Sequence, residues 1–253
     1  MNIAVAFRKE WMELVRTYRL LVVVIVLLFF GLTSPLLAKL TPEIAKLVPS
    51  NSGISIQVTK TPTVEDAIGQ YVKNITQFGI LLAILLAMGS VAQEKDKGTA
   101  AMMLVKPLSR GGFIAAKFLS LTAMFAVTLA VATVTCYYYT FLLFGTMDIP
   151  HWLVINALIL LYILVYVAIT VLCSTLTRSQ VVAGGAAIGA LILFGLIGII
   201  PAFAKYLPAE LITWGTRLMM GDHTASWGAL GVSLGLIVLP LVAAWLIFRK
   251  QEL

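Results

Sequence analysis

The sequence predicts an all-α membrane protein, a single domain over residues 1–253 with six transmembrane helices. Three observations predict it. Hydrophobic residues make up 60% of the chain and charged ones 11%, with a mean hydropathy of +1.00, whereas soluble domains are about half apolar and a quarter charged. Acidic and basic residues are missing from 118–147, 149–177, 179–204 and 223–248, and each gap can hold a spanning helix of about 20 residues. Lysines and arginines fall mainly at the span ends that face one side.

Residues 1–18 read as an interfacial amphipathic helix. Ile3, Phe7, Trp11, Leu14 and Val15 recur at three- and four-residue steps, with Arg8, Lys9, Glu13 and Arg16 on the other side. Arg8, Trp11 and Arg16 are its candidate interfacial residues. The helix either only sets topology or acts as an elbow on the first span. Spans are expected at 20–40, 74–92, 113–144, 152–176, 181–201 and 227–248. The first exceeds a signal-peptide core of about 7–15 residues and lacks a small-residue cleavage site, so it reads as a retained anchor.

With the N-terminus inside, the cytoplasmic segments hold Arg8, Lys9, Arg16, Arg19, Lys95, Lys97, Lys106, Arg110, Lys117, Arg178, Arg249 and Lys250. The outer segments hold Lys39, Lys46, Lys60, Lys73, Lys205 and Arg217, so the count is twelve against six. Both termini are therefore expected in the cytoplasm, in the inner or plasma membrane of a prokaryotic cell. The net charge of +7 is this positive-inside bias, not a nucleic-acid surface. Tyr137 to Tyr139, Trp152, Trp227 and Trp245 sit where an aromatic belt belongs.

The third apolar stretch would reach about 45 Å as one helix, beyond a hydrocarbon core of about 30 Å, so it must tilt, kink or project. Pro240 predicts a kink in the sixth span. The outer loop 41–73 is long enough to carry structure of its own. A helix start is expected at Thr41-Pro42-Glu43, a turn at Asn51-Ser52-Gly53 and a helix from Thr63. The second outer loop, 202–226, suggests a short amphipathic helix after Pro208, with Leu211, Ile212, Trp214, Leu218 and Met219 apolar. Cys136 and Cys173 lie toward opposite membrane faces and read as small buried apolar residues rather than a disulfide.

Catalytic motifs are missing. There is no GxxxxGK[ST] to cradle nucleotide phosphates, and no HExxH or GxSxG. Asp148 and His151, and likewise Asp222 and His223, read as surface polar residues, since nothing in the sequence brings the two pairs together. The chain is thus expected to be non-catalytic and to bind neither cofactor nor metal itself. The spans are also expected to hide no carboxylate, lysine or arginine, which counts against a proton-coupled carrier. Hydroxyls such as Ser120, Thr122, Thr128, Thr133 and Thr170 are expected to line a path suited to a hydrophobic or amphipathic substrate. Gly185 and Gly189 in the fifth span, and Gly231 and Gly235 in the sixth, are small-xxx-small pairs. Packing within one bundle is the plainer reading, and a subunit interface at Gly185 and Gly189 the sharper one.

The loop 93–112 is the most informative segment. Glu94, Lys95, Asp96 and Lys97 form a mixed-charge tract, Gly98-Thr99 a helix start, and Met102, Met103 and Leu104 an apolar patch. Pro107 stops that helix and Ser109 can cap the next. Bare methionines and leucine are costly in cytosol and suit a docking site. Glu94 and Lys97 either pair with a partner protein or are merely hydrated, and since an exposed pair contributes only about 0–1 kcal/mol, single changes there are expected to be mild.

At this loop the chain resembles the type-2 ATP-binding-cassette permease family. The shared features are the tract Glu94 to Lys97, Gly98-Thr99, Met102 to Leu104, Pro107 to Arg110, and Lys117 opening the next span. The N-terminal Arg8-Lys9-Glu10-Trp11 with Arg16 and Arg19, and the tail Phe248 to Leu253, also resemble that family. The resemblance implies an N-terminal elbow helix and a cytoplasmic coupling helix between spans two and three. It also implies a second permease, the same or different, and two separate ATPase subunits that carry the ATP and magnesium. Loop 94–106 would seat in a cleft of the ATPase, and the cargo would mostly be exported. An independent channel or carrier, a membrane enzyme, and a non-transporting sensor or assembly factor are the competing readings. A carrier leaves the amphipathic loop unexplained, and an enzyme finds no catalytic constellation.

Overall fold

The computed structural model describes residues 3–47, 61–98 and 109–250, which form helices joined by turns and no strand. Thr99, Met102, Met103 and Leu104, and the turn expected at Asn51 to Gly53, lie outside the described residues. The first helix, α1 (Ile3–Arg16), is followed by α2 (Arg19–Leu47), α3 (Val64–Ala87) and the single turn α4 (Ala92–Asp96). Then come α5 (Arg110–Phe144), α6 (Ile149–Leu176), α7 (Gln180–Gly198), α8 (Pro201–Ala204), α9 (Ala209–Met219) and α10 (Trp227–Lys250). Six of these, α2, α3, α5, α6, α7 and α10, are long and apolar enough to cross a membrane.

The ends of these helices follow from local chemistry. Tyr18 takes a left-handed backbone (φ 58°) between α1 and α2. A tyrosine rarely does so, and a residue there breaks one helix sharply from the next. No new helix begins at Thr41-Pro42, because α2 runs on to Leu47 with Pro35 and Pro42 inside it. Hydroxyls near those prolines bond back to the preceding turn, Ser34 to the Phe30 carbonyl (2.6 Å) and Thr41 to that of Leu37 (2.7 Å). The start expected at Thr63 is present. Its N–H and hydroxyl both donate to Asp66 Oδ2, at 2.8 and 2.9 Å. Ser109 caps α5 as expected, accepting from the Gly112 N–H at 3.1 Å. Pro240 lies within the unbroken α10.

At the centre stands α6, buried along most of its length, with α3, α5, α9 and α10 against it. Around it α2 packs on α3 and α5, while α7 and α10 take the rim. The core runs through Tyr71, Ile75, Met124, Phe125, Trp152, Ile155, Ile159 and Ile163. The amphipathic helix expected after Pro208 is α9, which turns its apolar side into the bundle. Leu211 is fully buried, and a Cβ on Gly215 would stand 2.7 Å from Ile155.

One buried amide ties three spans together. Asn156 of α6 accepts from the Tyr71 hydroxyl at 2.7 Å, has the Thr133 hydroxyl 2.8 Å from the same oxygen, and donates to the Trp152 carbonyl at 2.8 Å. Trp152 in turn donates to the Thr133 carbonyl at 3.3 Å. Of the hydroxyls expected to line a path, Ser120, Thr128, Thr133 and Thr170 are buried and bonded to carbonyls of their own helices, which satisfies them without water, while Thr122 is half-buried. Replacing Asn156 with Leu leaves the Tyr71 hydroxyl buried without its acceptor, at about 1–3 kcal/mol. A lowered midpoint of thermal unfolding in detergent, smaller when Tyr71→Phe is already present, is the expected result.

Candidate functional site

The segments singled out at both ends of the chain's first hundred residues meet at one end of the bundle. Helix α1 lies on α5 and turns Ala6, Glu10 and Leu14 toward the bundle, Ala6 and Leu14 buried and the Glu10 side chain 13% exposed. Of the apolar face expected from Ile3, Phe7, Trp11, Leu14 and Val15, Leu14 alone is buried. Ile3 and Val15 are exposed, and Phe7 and Trp11 stack on each other half-buried, with ring centroids 6.2 Å apart. Arg8 and Arg16 point outward. The rotation has an electrostatic reason.

That reason is Lys117, which is 3% exposed and the one charged residue that is buried among those described. The expectation of no lysine hidden in the spans is therefore overturned, at a depth of about two turns into α5. Its ammonium reaches Glu10 Oε2 of α1 at 3.1 Å and Glu94 Oε1 of α4 at 2.8 Å, and lies 4.9 Å from the centre of the Phe113 ring. Lys9 joins the group at 3.0 Å from Glu10 and 3.4 Å from Glu94. Three carboxylates, of Glu10, Glu13 and Glu94, come within 4.8 Å of one another. The ammoniums of Lys117 and Lys9 already occupy the cation's place among them. Burial would raise the Glu10 carboxyl, but the Lys117 and Lys9 charges outweigh it and hold it below the usual carboxylate range.

Residues 88–98 are held on the other side by α6. The chain leaves α3 at Ala87 and starts α4 at Ala92, which frees backbone groups between them. Ser174 serves three of these. Its hydroxyl accepts from the N–H groups of Val91 (3.0 Å) and Ala92 (2.9 Å) and donates to the Met88 carbonyl (2.8 Å). Lys95 donates to the Thr175 carbonyl. Gly98 ends the segment in the left-handed region (φ 67°), beside exposed Asp96 and Lys97. Glu94 and Lys97, read alike from the sequence, thus part company, one inside and one outside.

A second clamp closes the same end. Arg110 donates to the carbonyls of Phe248 (2.8 Å) and Arg249 (2.9 Å), the last turn of α10, and the rings of Phe113 and Phe248 stack at 5.2 Å. Cation and carbonyl ends suit each other there.

The opposite end holds an open cavity of about 380 Å³ between α6, α7 and α9. Tyr162, Tyr166, Phe194, Leu207, Glu210 and Thr213 are among its walls. On α7 the positions of Gly185 and Gly189 face open space, with no atom within 4 Å of a Cβ built there, so they do not pack inside this chain. His151 and His223, expected to stay apart, have ring centroids 5.4 Å apart, and His151 also contacts Asp148.

A sequence model of the family described as ABC-2 family transporter protein matches residues 3–253. The chain belongs to the ABC-2 transporter family. It is also 26% identical over 248 residues to an uncharacterized transmembrane protein of Bacillus subtilis (strain 168), YxlG, covering 97% of this chain and 95% of that one. The chain is thus a multi-pass membrane protein and a permease component of an ABC transporter. Such ABC-2 permeases are typically non-catalytic subunits and generally partner with ATP-binding-cassette ATPases.

No periodicity pointed to Glu10 or Asn156. The one available signal was polarity at a position in step with buried small or apolar neighbours, Glu10 lying four residues from both Ala6 and Leu14. Glu94→Gln should destabilise the protein more than Lys97→Gln, by a margin readable in thermal melts of the purified chain. Because the Glu10 carboxyl is depressed on folding, its stabilisation is complete above its ordinary value of 4.5 and is lost as pH falls through the lower folded value. Melts across that acid range should show Glu10→Gln removing part of the wild-type pH dependence.

Proposed function

We propose that this ABC-2 permease exports a hydrophobic or amphipathic substrate from a prokaryotic cell. In this reading it works as one of two permease chains on two separate ATPase subunits, with both termini and the Lys117 junction in the cytoplasm. The observation that carries it is the junction itself. Helices α1 and α4 are joined to α5 through one buried ammonium, and α4 is joined to α6 through Ser174. A push on loop 94–106 would therefore reach the N-terminal elbow and two central spans together.

The residues given to ATPase coupling divide by place. Glu94 and Lys95 face inward and anchor the loop and Asp96, Lys97 and Gly98 are exposed; Thr99, Met102, Met103 and Leu104, which lie outside the described residues, would supply the docking patch. ATP and magnesium belong to the partner. The substrate class is supported by the cavity beside α7, whose mainly apolar walls carry the Glu210 carboxylate and the hydroxyls of Tyr162, Tyr166 and Thr213. The partner chain is supported by Gly185 and Gly189. A small-residue pair left open on a span with little buried surface suits close approach of a second backbone.

Mild-detergent purification of the full chain from its own membranes should bring down a nucleotide-hydrolysing subunit whose rate responds to amphipathic compounds. Recovery of the chain alone, with solute movement independent of nucleotide, would defeat the reading. Met102→Asp with Met103→Asp should release the ATPase while the permease still inserts. Cysteines at Gly185 and Gly189, in a background free of Cys136 and Cys173, should give a disulfide-linked permease pair in membranes, and an absence of such a product would remove the proposed interface.

A further inference from the structure

We propose that Lys117 is a positioning residue, a buried electrostatic pin that makes the N-terminal helix and the 92–97 turn one mechanical body with the third span. Two other arrangements were open to this sequence. Helix α1 could have laid its most apolar side, Ile3, Phe7, Trp11 and Val15, on α5, and the 94–97 tract could have stayed hydrated. Instead α1 is turned to present Glu10, and α4 to present Glu94, to a single ammonium. The three side chains are 4%, 13% and 15% exposed.

The chemistry makes the arrangement cooperative. A lysine ammonium has three donors and must fill them when water is excluded. Here two of its bonds go to different elements, 107 and 23 residues away in sequence. Pulling either carboxylate away strands both the ammonium and the departing partner at a buried site, the expensive way to break an ion pair. The pin thus resists separation of α1 from α4, which Lys9 and Glu94 also join directly at 3.4 Å. Lys9, more exposed, trims the charge without bridging to α5.

The pin is a property of this chain alone. Its consequence, that the elbow follows the loop when the ATPase closes, rests on the permease reading above. Hydrogen exchange read by mass spectrometry separates the two. In the full chain in lipid nanodiscs, Lys117→Met should speed exchange of residues 3–16 and 92–97 together by about tenfold, as loss of about 1.4 kcal/mol of local stability gives. Helix α6 should be unchanged. Glu10→Gln should loosen mainly 3–16, and Glu94→Gln mainly 92–97. If Lys117→Met does not fold, the two glutamine variants carry the test.

Unchanged exchange in both segments, or equal loosening of both by either glutamine variant, would overturn the pin. In the complex with its copurified ATPase, ATP and vanadate should alter exchange of residues 3–16 in the wild type. They should not do so in Glu10→Gln, while the ATPase's own response is the same in both. An elbow that still responds in Glu10→Gln would also overturn it. If no ATPase accompanies the chain, the permease reading fails, and the nanodisc result still decides the pin.

Discussion

A charged ammonium hidden where water cannot reach must bring its counter-charges with it, and Lys117 imposes that demand on three separate parts of this chain. Without carboxylates beside it, burial would strip the charge or expel the side chain. Glu10 answers from the N-terminal helix and Glu94 from the turn after the second span. The orientation of α1, otherwise odd for an amphipathic helix, follows from this need. Its greasiest residues are left facing outward, where lipid can receive them without cost.

The same accounting governs the interior away from the junction. Backbone and hydroxyl groups cannot turn to water inside a bilayer, so every interruption of a helix needs a partner in the bundle. Ser174 supplies it where α3 gives way to α4. Asn156 of α6 gathers hydroxyls from α3 and α5 onto one amide. The central helix α6 contributes both Asn156 and Ser174, so it is the scaffold against which the other spans are registered.

Why some of this is legible in the sequence and some is not has a physical cause. Spans are read from long runs of one property, so the four long charge-free stretches placed the last four spans within a few residues, and the first was placed at its start while its helix runs on to Leu47. The second was also placed, but its helix starts earlier, at Val64, because the Thr63 and Asp66 cap lies outside the apolar run. Caps at Thr63 and Ser109 are local and were legible for the same reason. The junction was not. Pairing of Glu10, Glu94 and Lys117 joins residues far apart in sequence, and no periodicity within one helix reports it. Treating Lys117 as one more positive-inside charge, and Glu94 as the twin of Lys97, hid the site in plain view. The Thr41-Pro42 pair misled because a proline is tolerated inside a long helix of this kind, and α2 runs through Pro35 and Pro42 alike.

Burial is shared unequally among the spans, and the inequality limits where this protein can move. Helices α3, α5 and α6 are fixed by a common core and by the polar links just described. Helix α7 buries only Ala183, Gly184 and Ala187 along its length, whereas α10 packs on α6 along its length and is clamped at its last turn by Arg110 and Phe113. An element with little buried surface has little to restore it when displaced. The cavity between α6, α7 and α9 lies where that hold is weakest, at the end of the bundle away from Lys117. The polar links of Lys117 and the loosely held α7 beside the cavity thus lie at opposite ends of the same six helices.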